Sequence, residues 1–196
     1  MPRISEERKA ERRDQILAGA RRCFAEHGYE GATVARLERE IGLSRGAIFN
    51  YFGSKEEVFV ELAVRDSARI SELWVNEGLE AVVRELVGLD PAWLGVYLEL
   101  IRRIRTDPDF KRRIEEREQE LVHVNRARLE EAQQLGEFRD DFEVKELGSF
   151  VNLVLNGLVL QRAQGDEGPS VELVVRLLED AIGGRAPSRR RRRTPA

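Results

Sequence analysis

The stretch TVARLEREIGLSRGAIFNYF, residues 33–52, decides the fold of this chain. Its first half opens with Thr33 and ends at Gly42, and its apolar residues recur every three or four positions. Its second half opens with Ser44 and ends at Phe52. Serine and threonine are favoured at the N-cap of a helix, and glycine readily takes the left-handed conformation that ends one. The stretch therefore predicts two short helices joined by a tight turn, which is a helix-turn-helix.

The rest of the chain also predicts helices. Its apolar residues recur at intervals of three and four, and almost no segment predicts a strand. A first helix is predicted from Glu6 to His27, and Gly28 stops it. Ser54 and Glu57 have the spacing of a capping box, which begins a fourth helix. The predicted fold class is all-α, with a three-helix helix-turn-helix domain over residues 1–53, a helical body over 54–184 and a disordered Arg-rich tail over 185–196.

The composition excludes several classes of protein. The single cysteine, Cys23, excludes a disulfide framework, and with two histidines the chain has too few ligands for a Cys/His metal centre. No set of nucleophile, base and orienting group can be assembled, so we expect neither an enzyme nor a bound cofactor. The longest apolar run, residues 150–160, is shorter than the roughly 20 residues of a membrane span. We expect a soluble, cytoplasmic protein without a membrane partner.

The formal net charge of −3 hides an uneven distribution along the chain. Residues 1–55 carry a net charge of +3, residues 56–184 carry −12, and residues 185–196 carry +6. The mildly basic head is therefore the part suited to a specific phosphate-bearing partner, whereas the acidic body must serve another purpose. The arginine run Arg189–Arg193 is interpreted either as a solvated tail or as a nonspecific phosphate-binding arm.

The second helix of the helix-turn-helix has the residues of a DNA-reading helix. Arg45 can fork onto guanine O6 and N7, and Asn50 can pair with adenine or with a phosphate. The small residues Gly46 and Ala47 permit close approach to the major groove. Phosphate contacts are expected from Thr33, Tyr51 and Lys55, which lie at or near helix N-termini. The alternative is that the two short helices simply pack as a hairpin within a helical bundle.

Residues 21–59, RRCFAEHGYEGATVARLEREIGLSRGAIFNYFGSKEEVF, closely resemble the DNA-binding domain of the TetR family of bacterial one-component repressors. Within that family, the segments RRCFAEHGYEGATV and SRGAIF, with residues 105–108, look most like the actinobacterial aconitase-repressor branch. The resemblance implies a repressor that binds double-stranded DNA, and it outweighs the bundle hairpin. The DNA-binding positions it implies are Thr33, Ser44, Arg45, Gly46, Ala47, Phe49, Asn50, Tyr51 and Lys55.

One position departs from the family pattern. The family most often has tyrosine where this chain has Phe49. Loss of the hydroxyl removes a phosphate bond, so Phe49 is left with apolar contact to a thymine methyl or with core packing.

The resemblance also implies that the body forms a homodimer through its last two long helices. The eighth and ninth predicted helices have broad apolar faces, which isologous packing against a second copy would bury as a four-helix bundle. The alternative is a monomer that uses both faces internally. The faces comprise Leu147, Val151, Val154, Leu155, Leu158 and Val159, and Val171, Val174, Val175, Leu178 and Ile182.

The middle helices are expected to enclose a small-molecule effector. An arginine beside asparagines would suit a carboxylate, and resemblance to the aconitase-repressor branch implies citrate, with magnesium as a possible companion ion. The alternative is that the asparagines hydrogen-bond across the dimer while the arginines lie on solvated faces. A second class of function, an architectural or replication-linked DNA-binding protein without an effector, predicts a filled core. The candidate ligand-binding residues are Arg102, His123, Arg126, Asn152 and Asn156.

Overall fold

The computed structural model describes residues 6–184, which fold as nine α-helices without a strand, as the all-α prediction requires. None of these helices is long and apolar enough to cross a membrane. The predicted tail, including Arg189–Arg193, lies outside the described residues. The helices are α1 (Glu6–Gly31), α2 (Val34–Ile41), α3 (Arg45–Phe52), α4 (Lys55–Glu77), α5 (Leu79–Gly88), α6 (Pro91–Thr106), α7 (Pro108–Gln134), α8 (Val144–Ala163) and α9 (Val171–Ile182).

The predicted helix boundaries in the head are confirmed by their caps. The side chains of Thr33, Ser44 and Ser54 accept hydrogen bonds from the first turns of α2, α3 and α4. Gly42 has a φ of 75°, the left-handed conformation that ends α2 and turns the chain towards α3. The helix-turn-helix is therefore fixed by local interactions that these residues make with their own helices.

The predicted break in the first helix is present at Gly28, whose non-helical backbone kinks α1 and separates its long first part from a short helical segment. Gly28 has a φ of 67° and a ψ of 173°, and helical backbone resumes as far as Gly31. Glu99 of α6 lies against this kink, where the backbone N–H of Tyr29 donates to its carboxylate over 2.8 Å. The kink thus replaces a lost helical hydrogen bond with one from the body.

Two hydrophobic cores hold the helices together. The first joins α1–α4 to residues of α6 and α7, including Trp93, Leu100 and Phe110. The second packs the end of α4 and α5 against α6, α8 and α9. Helix α4 contributes to both cores, so the head is anchored in the body by packing as well as by the chain connection.

The structure corrects the prediction of which apolar residues lie free on α8 and α9. Most of the predicted dimer-face residues are buried in the protomer, where these helices pack against α5 and α6; Leu178, for example, is 2% exposed. A different apolar set faces solvent on the same two helices. It comprises Phe150, Leu153 and Leu160 of α8 and Leu173 and Leu177 of α9.

Candidate nucleic-acid interface and internal cavity

The start of α3 presents the residues predicted to read bases. Ser44 caps the helix by accepting a hydrogen bond from the Ala47 N–H, and the Arg45 N–H donates to the Glu38 carboxylate over 2.6 Å. The side chains of Arg45 and Asn50 are exposed. Among the described residues, no carboxylate within 4 Å pairs with the Arg45 guanidinium. The helix is thus capped by one set of groups while its long polar side chains remain available to a partner.

Gly46 leaves open space on the outer face of α3. A Cβ added at this glycine would meet no atom within 4 Å, and its φ is not positive. Neither packing within the protomer nor backbone conformation requires glycine there, although glycine costs about 1 kcal/mol relative to alanine inside a helix. The small residue therefore leaves room for a partner that approaches the outside of α3, as a major groove would.

The remaining predicted DNA contacts are divided between surface and core. Thr33 is exposed at the start of α2 and accepts a hydrogen bond from the Arg36 N–H over 3.4 Å. Phe49 and Tyr51 are partly buried and pack against the first core. Of the two roles open to Phe49, core packing is the one that the protomer displays.

Lys55 is already engaged in the head. Its Nζ donates to the carbonyl oxygen of Tyr29 over 2.8 Å and lies 4.3 Å from the centroid of the Tyr29 ring. An ammonium group has three donors, so this contact leaves capacity for a phosphate. Lys55 therefore fixes the end of α1 against the start of α4, a role that sequence reasoning missed.

Ion pairs connect the head to α7. Glu61 of α4 pairs with Arg13 of α1 and with Arg65 and Arg117. Burial by itself would raise the pKa of Glu61, but the hydrogen bonds and charges of Arg117 and Arg13 outweigh it and lower the pKa below its ordinary value. The carboxylate therefore stays ionised and holds three arginines from three helices.

A cavity of about 320 Å³ lies within the body and is lined by residues of α4 to α8. Much of its wall is apolar, including Phe59, Trp93 and Leu155. No lysine or arginine is among its described lining residues. The polar lining residues are Asp66, Ser67, Ser71, Tyr97, Glu118, Asn125, Asn152 and Asn156.

Two hydrogen bonds link α4 to α7 inside the cavity. The Ser67 hydroxyl donates to Glu118 Oε1 over 2.6 Å, and the Ser71 hydroxyl donates to Asn125 Oδ1 over 2.7 Å. These four residues were not predicted as ligand-binding residues. The spacing of Ser67 and Ser71 places both on one face of α4, and that spacing was the signal available in the sequence.

The structure brings only some of the predicted ligand-binding residues to the cavity. Asn152 and Asn156 line the cavity, as the sequence suggested. Arg126 is instead 70% exposed and pairs with Glu130 over 2.8 Å, and His123 is exposed on the same helix. Arg102 borders a separate cleft beside Gly28. The prediction of an arginine reaching into the pocket is therefore wrong, because α7 turns positions 118, 122 and 125 towards the cavity.

No group of three or more histidine, cysteine or acidic residues that could hold a metal ion occurs among residues 6–184. Oxygen donors of the kind that Mg²⁺ prefers do line the cavity, as the Glu118 carboxylate and the Asn125, Asn152 and Asn156 carboxamides.

Comparison with known proteins connects both halves of the chain to regulators. Residues 16–62 match the model for bacterial regulatory proteins of the tetR family, and residues 75–186 match the C-terminal domain of BetI-type transcriptional repressors. The HTH-type transcriptional repressor AcnR of Corynebacterium diphtheriae is 41% identical over 96% of this chain and 100% of its own. The HTH-type transcriptional repressor Rv1474c of Mycobacterium tuberculosis is 42% identical over 93% of this chain and 98% of its own.

Among solved structures, Salmonella enterica GusR is similar with a TM-score of 0.70. Its sequence is 19% identical, and the match covers 92% of this chain and 99% of GusR. At that identity, the likeness supports the fold alone.

Proposed function

The chain belongs to the TetR family of bacterial regulatory proteins, and on that premise we propose that it is a homodimeric transcriptional repressor that a small effector releases from an inverted-repeat operator. Its relatives over nearly the whole chain are DNA-binding repressors and not enzymes. The observation that carries the proposal is the coexistence of an open, glycine-bearing recognition face on α3 with a cavity in the body.

Operator binding is tested by selecting bound sequences from random duplex DNA with the full-length protein. We expect an inverted repeat with half-site centres about one helical turn or more apart, since a two-fold dimer places two copies of α3 on one face of DNA. Enrichment of a single, non-repeated site would contradict the dimeric arrangement. Failure to enrich any sequence at low salt would contradict the proposal as a whole.

The dimer is proposed to form through the exposed apolar set of α8 and α9. Phe150, Leu153 and Leu160 lie on α8, and Leu173 and Leu177 lie on α9, the next helix along the chain. Large apolar residues exposed on two consecutive helices are typical of a subunit interface, and isologous packing would bury them as a four-helix bundle. Sedimentation should show a dimer at micromolar concentration, whereas a stable monomer would exclude this interface.

The effector is proposed to occupy the cavity, whose volume of about 320 Å³ is at the small end of ligand pockets. Its described lining contains the carboxylate of Glu118, that of Asp66, which is paired with Arg21, and no cationic side chain, so a bare carboxylate ligand would meet repulsion from Glu118. Of the two forms implied by the family resemblance, citrate with magnesium therefore suits the lining better than free citrate. Bound magnesium would offset most of the negative charge of citrate and so reduce this repulsion.

Thermal unfolding with citrate tests this choice directly. We expect citrate with MgCl₂ to raise the midpoint of unfolding and to weaken operator binding, and citrate with EDTA to do neither. Replacement of Glu118 by Gln should reduce the response, while Arg126→Ala should leave it unchanged, because Arg126 lies on the outer face of α7. No response to citrate in any form would remove this ligand and leave the cavity for another.

The competing function, a DNA-binding protein without an effector, is less well supported by the structure. That function predicts a filled core, whereas the body has a cavity crossed by polar groups of α4 and α7. Polar groups such as Ser67 and Asn125 facing a cavity are typical of a ligand site and unusual in a purely structural core.

A further inference from the structure

Asp66, in the middle of α4, holds one residue from each of two other helices. Its Oδ2 accepts a hydrogen bond from Trp93 Nε1 of α6 over 2.7 Å and another from Arg21 Nη1 of α1 over 3.1 Å. Its Oδ1 accepts a second hydrogen bond from Arg21. The Arg21 guanidinium also lies over the Trp93 ring, 4.2 Å from its centroid. Each of these three residues therefore contacts the other two.

This Arg21–Asp66–Trp93 bridge has one end in the cavity and the other in the DNA-binding head. Asp66 and Trp93 line the cavity, and Arg21 belongs to α1. Other polar contacts hold α1 to the rest of the protein: Arg13 with Glu61, Asp14 with Arg65, and Tyr29 with Glu99. None of the residues in those contacts is among the cavity lining that the structure describes.

We infer that Asp66 is the coupling residue through which the state of the cavity reaches the DNA-binding head; the inference rests on the proposed function. Asp66 Oδ2 accepts hydrogen bonds from both Trp93 and Arg21. A ligand in the cavity that moves the Trp93 indole, or that itself donates to Oδ2, therefore alters the hydrogen bond from Arg21. The double hydrogen bond of a guanidinium to a carboxylate is directional, so its loss changes how α1 is held against α4 at Arg21.

A shift of α1 must be carried to the helix-turn-helix, because α1 and α2 pack in close contact. A Cβ added at Gly19, two residues before Arg21, would lie only 2.8 Å from Ile41 Cγ1 at the end of α2. The Gln15 side chain also donates to the Ile41 carbonyl oxygen over 3.1 Å. Tightly packed helices move together, since their interface does not deform continuously.

Coupling between two sites is reciprocal, so DNA binding must also change the surroundings of the residues that line the cavity. This allows a test that needs no knowledge of the effector. The chain has two tryptophans, and Trp74→Phe leaves Trp93 as the only one. Trp74 stacks on Phe138, away from the bridge, so the replacement keeps an aromatic ring in that place. The tryptophan fluorescence then comes from Trp93, which lies in the bridge and in the cavity wall.

The experiment titrates the Trp74→Phe protein with the selected operator duplex while the anisotropy of a labelled copy of the duplex reports binding. We expect saturating operator to change the Trp93 emission spectrum. In Arg21→Met and Asp66→Asn variants the duplex should still bind, but the emission change should be lost. A matched control, Asp14→Asn, also removes one ion pair between α1 and α4 but lies away from the cavity, and it should retain the change.

The outcomes separate the inference from the proposed function. If the duplex binds and the Trp93 emission spectrum does not change, the coupling role is overturned while DNA binding stands. The same holds if Arg21→Met shows the same emission change as the Trp74→Phe protein. Absence of any bound duplex overturns the proposed function instead. In that case hydrogen exchange decides the coupling: Asp66→Asn, which keeps the shape of the side chain but removes the charge that holds Arg21, should speed exchange in α2, and unchanged exchange there overturns the inference.

Discussion

The backbone N–H of Tyr29 donates to the Glu99 carboxylate over 2.8 Å, so that α6 holds the end of α1 at its kink. The same carboxylate would lie 2.7 Å from a Cβ at Gly28, which has a φ of 67°. Gly28 is needed chiefly for its positive φ, and a Cβ there would also push the Glu99 carboxylate away from the Tyr29 N–H. The contact thus ties the head to the body at a backbone position that tolerates little change.

Gly28→Ala should destabilise the protein more than Gly42→Ala. Gly42 lies in the left-handed helical region, which costs an L-residue about 1–2 kcal/mol, whereas Gly28, with a ψ of 173°, lies in a region that is essentially restricted to glycine. An added Cβ at Gly28 also meets Glu99, and Gly42 has no such neighbour within 4 Å. Urea unfolding of both variants measures the difference. In a Glu99→Ala background the extra loss at Gly28 should persist, because the backbone conformation causes most of it, and equal losses at the two glycines there would contradict this explanation.

Gly46→Ala should separate stability from DNA binding. Because nothing lies within 4 Å of the added methyl group, the free energy of unfolding should rise by up to about 1 kcal/mol. Operator affinity should nevertheless fall, since the methyl group points towards the DNA. Gly95→Ala in α6 is the matched control, because it also meets no atom within 4 Å, and it should leave affinity unchanged. If Gly46→Ala and Gly95→Ala bind the operator with equal affinity, DNA does not contact α3 at Gly46.

Arg45→Ala and Lys55→Ala should weaken binding in different ways. Loss of Arg45 should cost about 1–3 kcal/mol at one base pair of the operator, because a guanidinium fork reads a single guanine. Loss of Lys55 should weaken all sequences about equally and reduce the salt slope by about 1. Binding to a panel of operator variants at several salt concentrations distinguishes them; a uniform loss for Arg45→Ala would mean that it contacts only backbone.

Leu153→Glu should dissociate the dimer and leave the protomer folded. Leu153 is 69% exposed, so a charge there disturbs only the proposed interface. Leu178→Glu, on α9, should unfold the protein instead, because Leu178 is buried in the second core. Sedimentation combined with circular dichroism tests both, and a folded dimeric Leu153→Glu protein would rule out this surface.

Glu61→Gln should remove part of the acid sensitivity of folding. The pKa of Glu61 is lower in the folded state than in the unfolded chain, so its stabilising contribution is present above the unfolded pKa of about 4.3 and is lost as the pH falls through the folded pKa. The variant should therefore be less stable at neutral pH, and the difference from wild type should shrink below about pH 4. Urea unfolding across this range measures it, with Glu130→Gln, in an exposed pair, as the control.

The sequence by itself determined the helices of the head and their turn. Thr33, Ser44 and Ser54 cap helices through their own side chains, and Gly42 ends one through its own backbone conformation. Such interactions involve residues within one turn of each other, so they can be recognised in the sequence before any packing is known. The break at Gly28 can be predicted for the same reason, and the hydrogen bond from the Tyr29 N–H to Glu99 at that break cannot.

Only the tertiary structure decided which helix faces meet each other. Helices α8 and α9 have apolar residues on more than one side, so periodicity did not show that Leu178 faces the core while Leu177 faces solvent. On α7, Glu118 and Arg126 are both charged, and only packing against α4 turns the first into the cavity and leaves the second outside. The environment of a side chain depends on residues far away in the chain, which a local pattern does not contain.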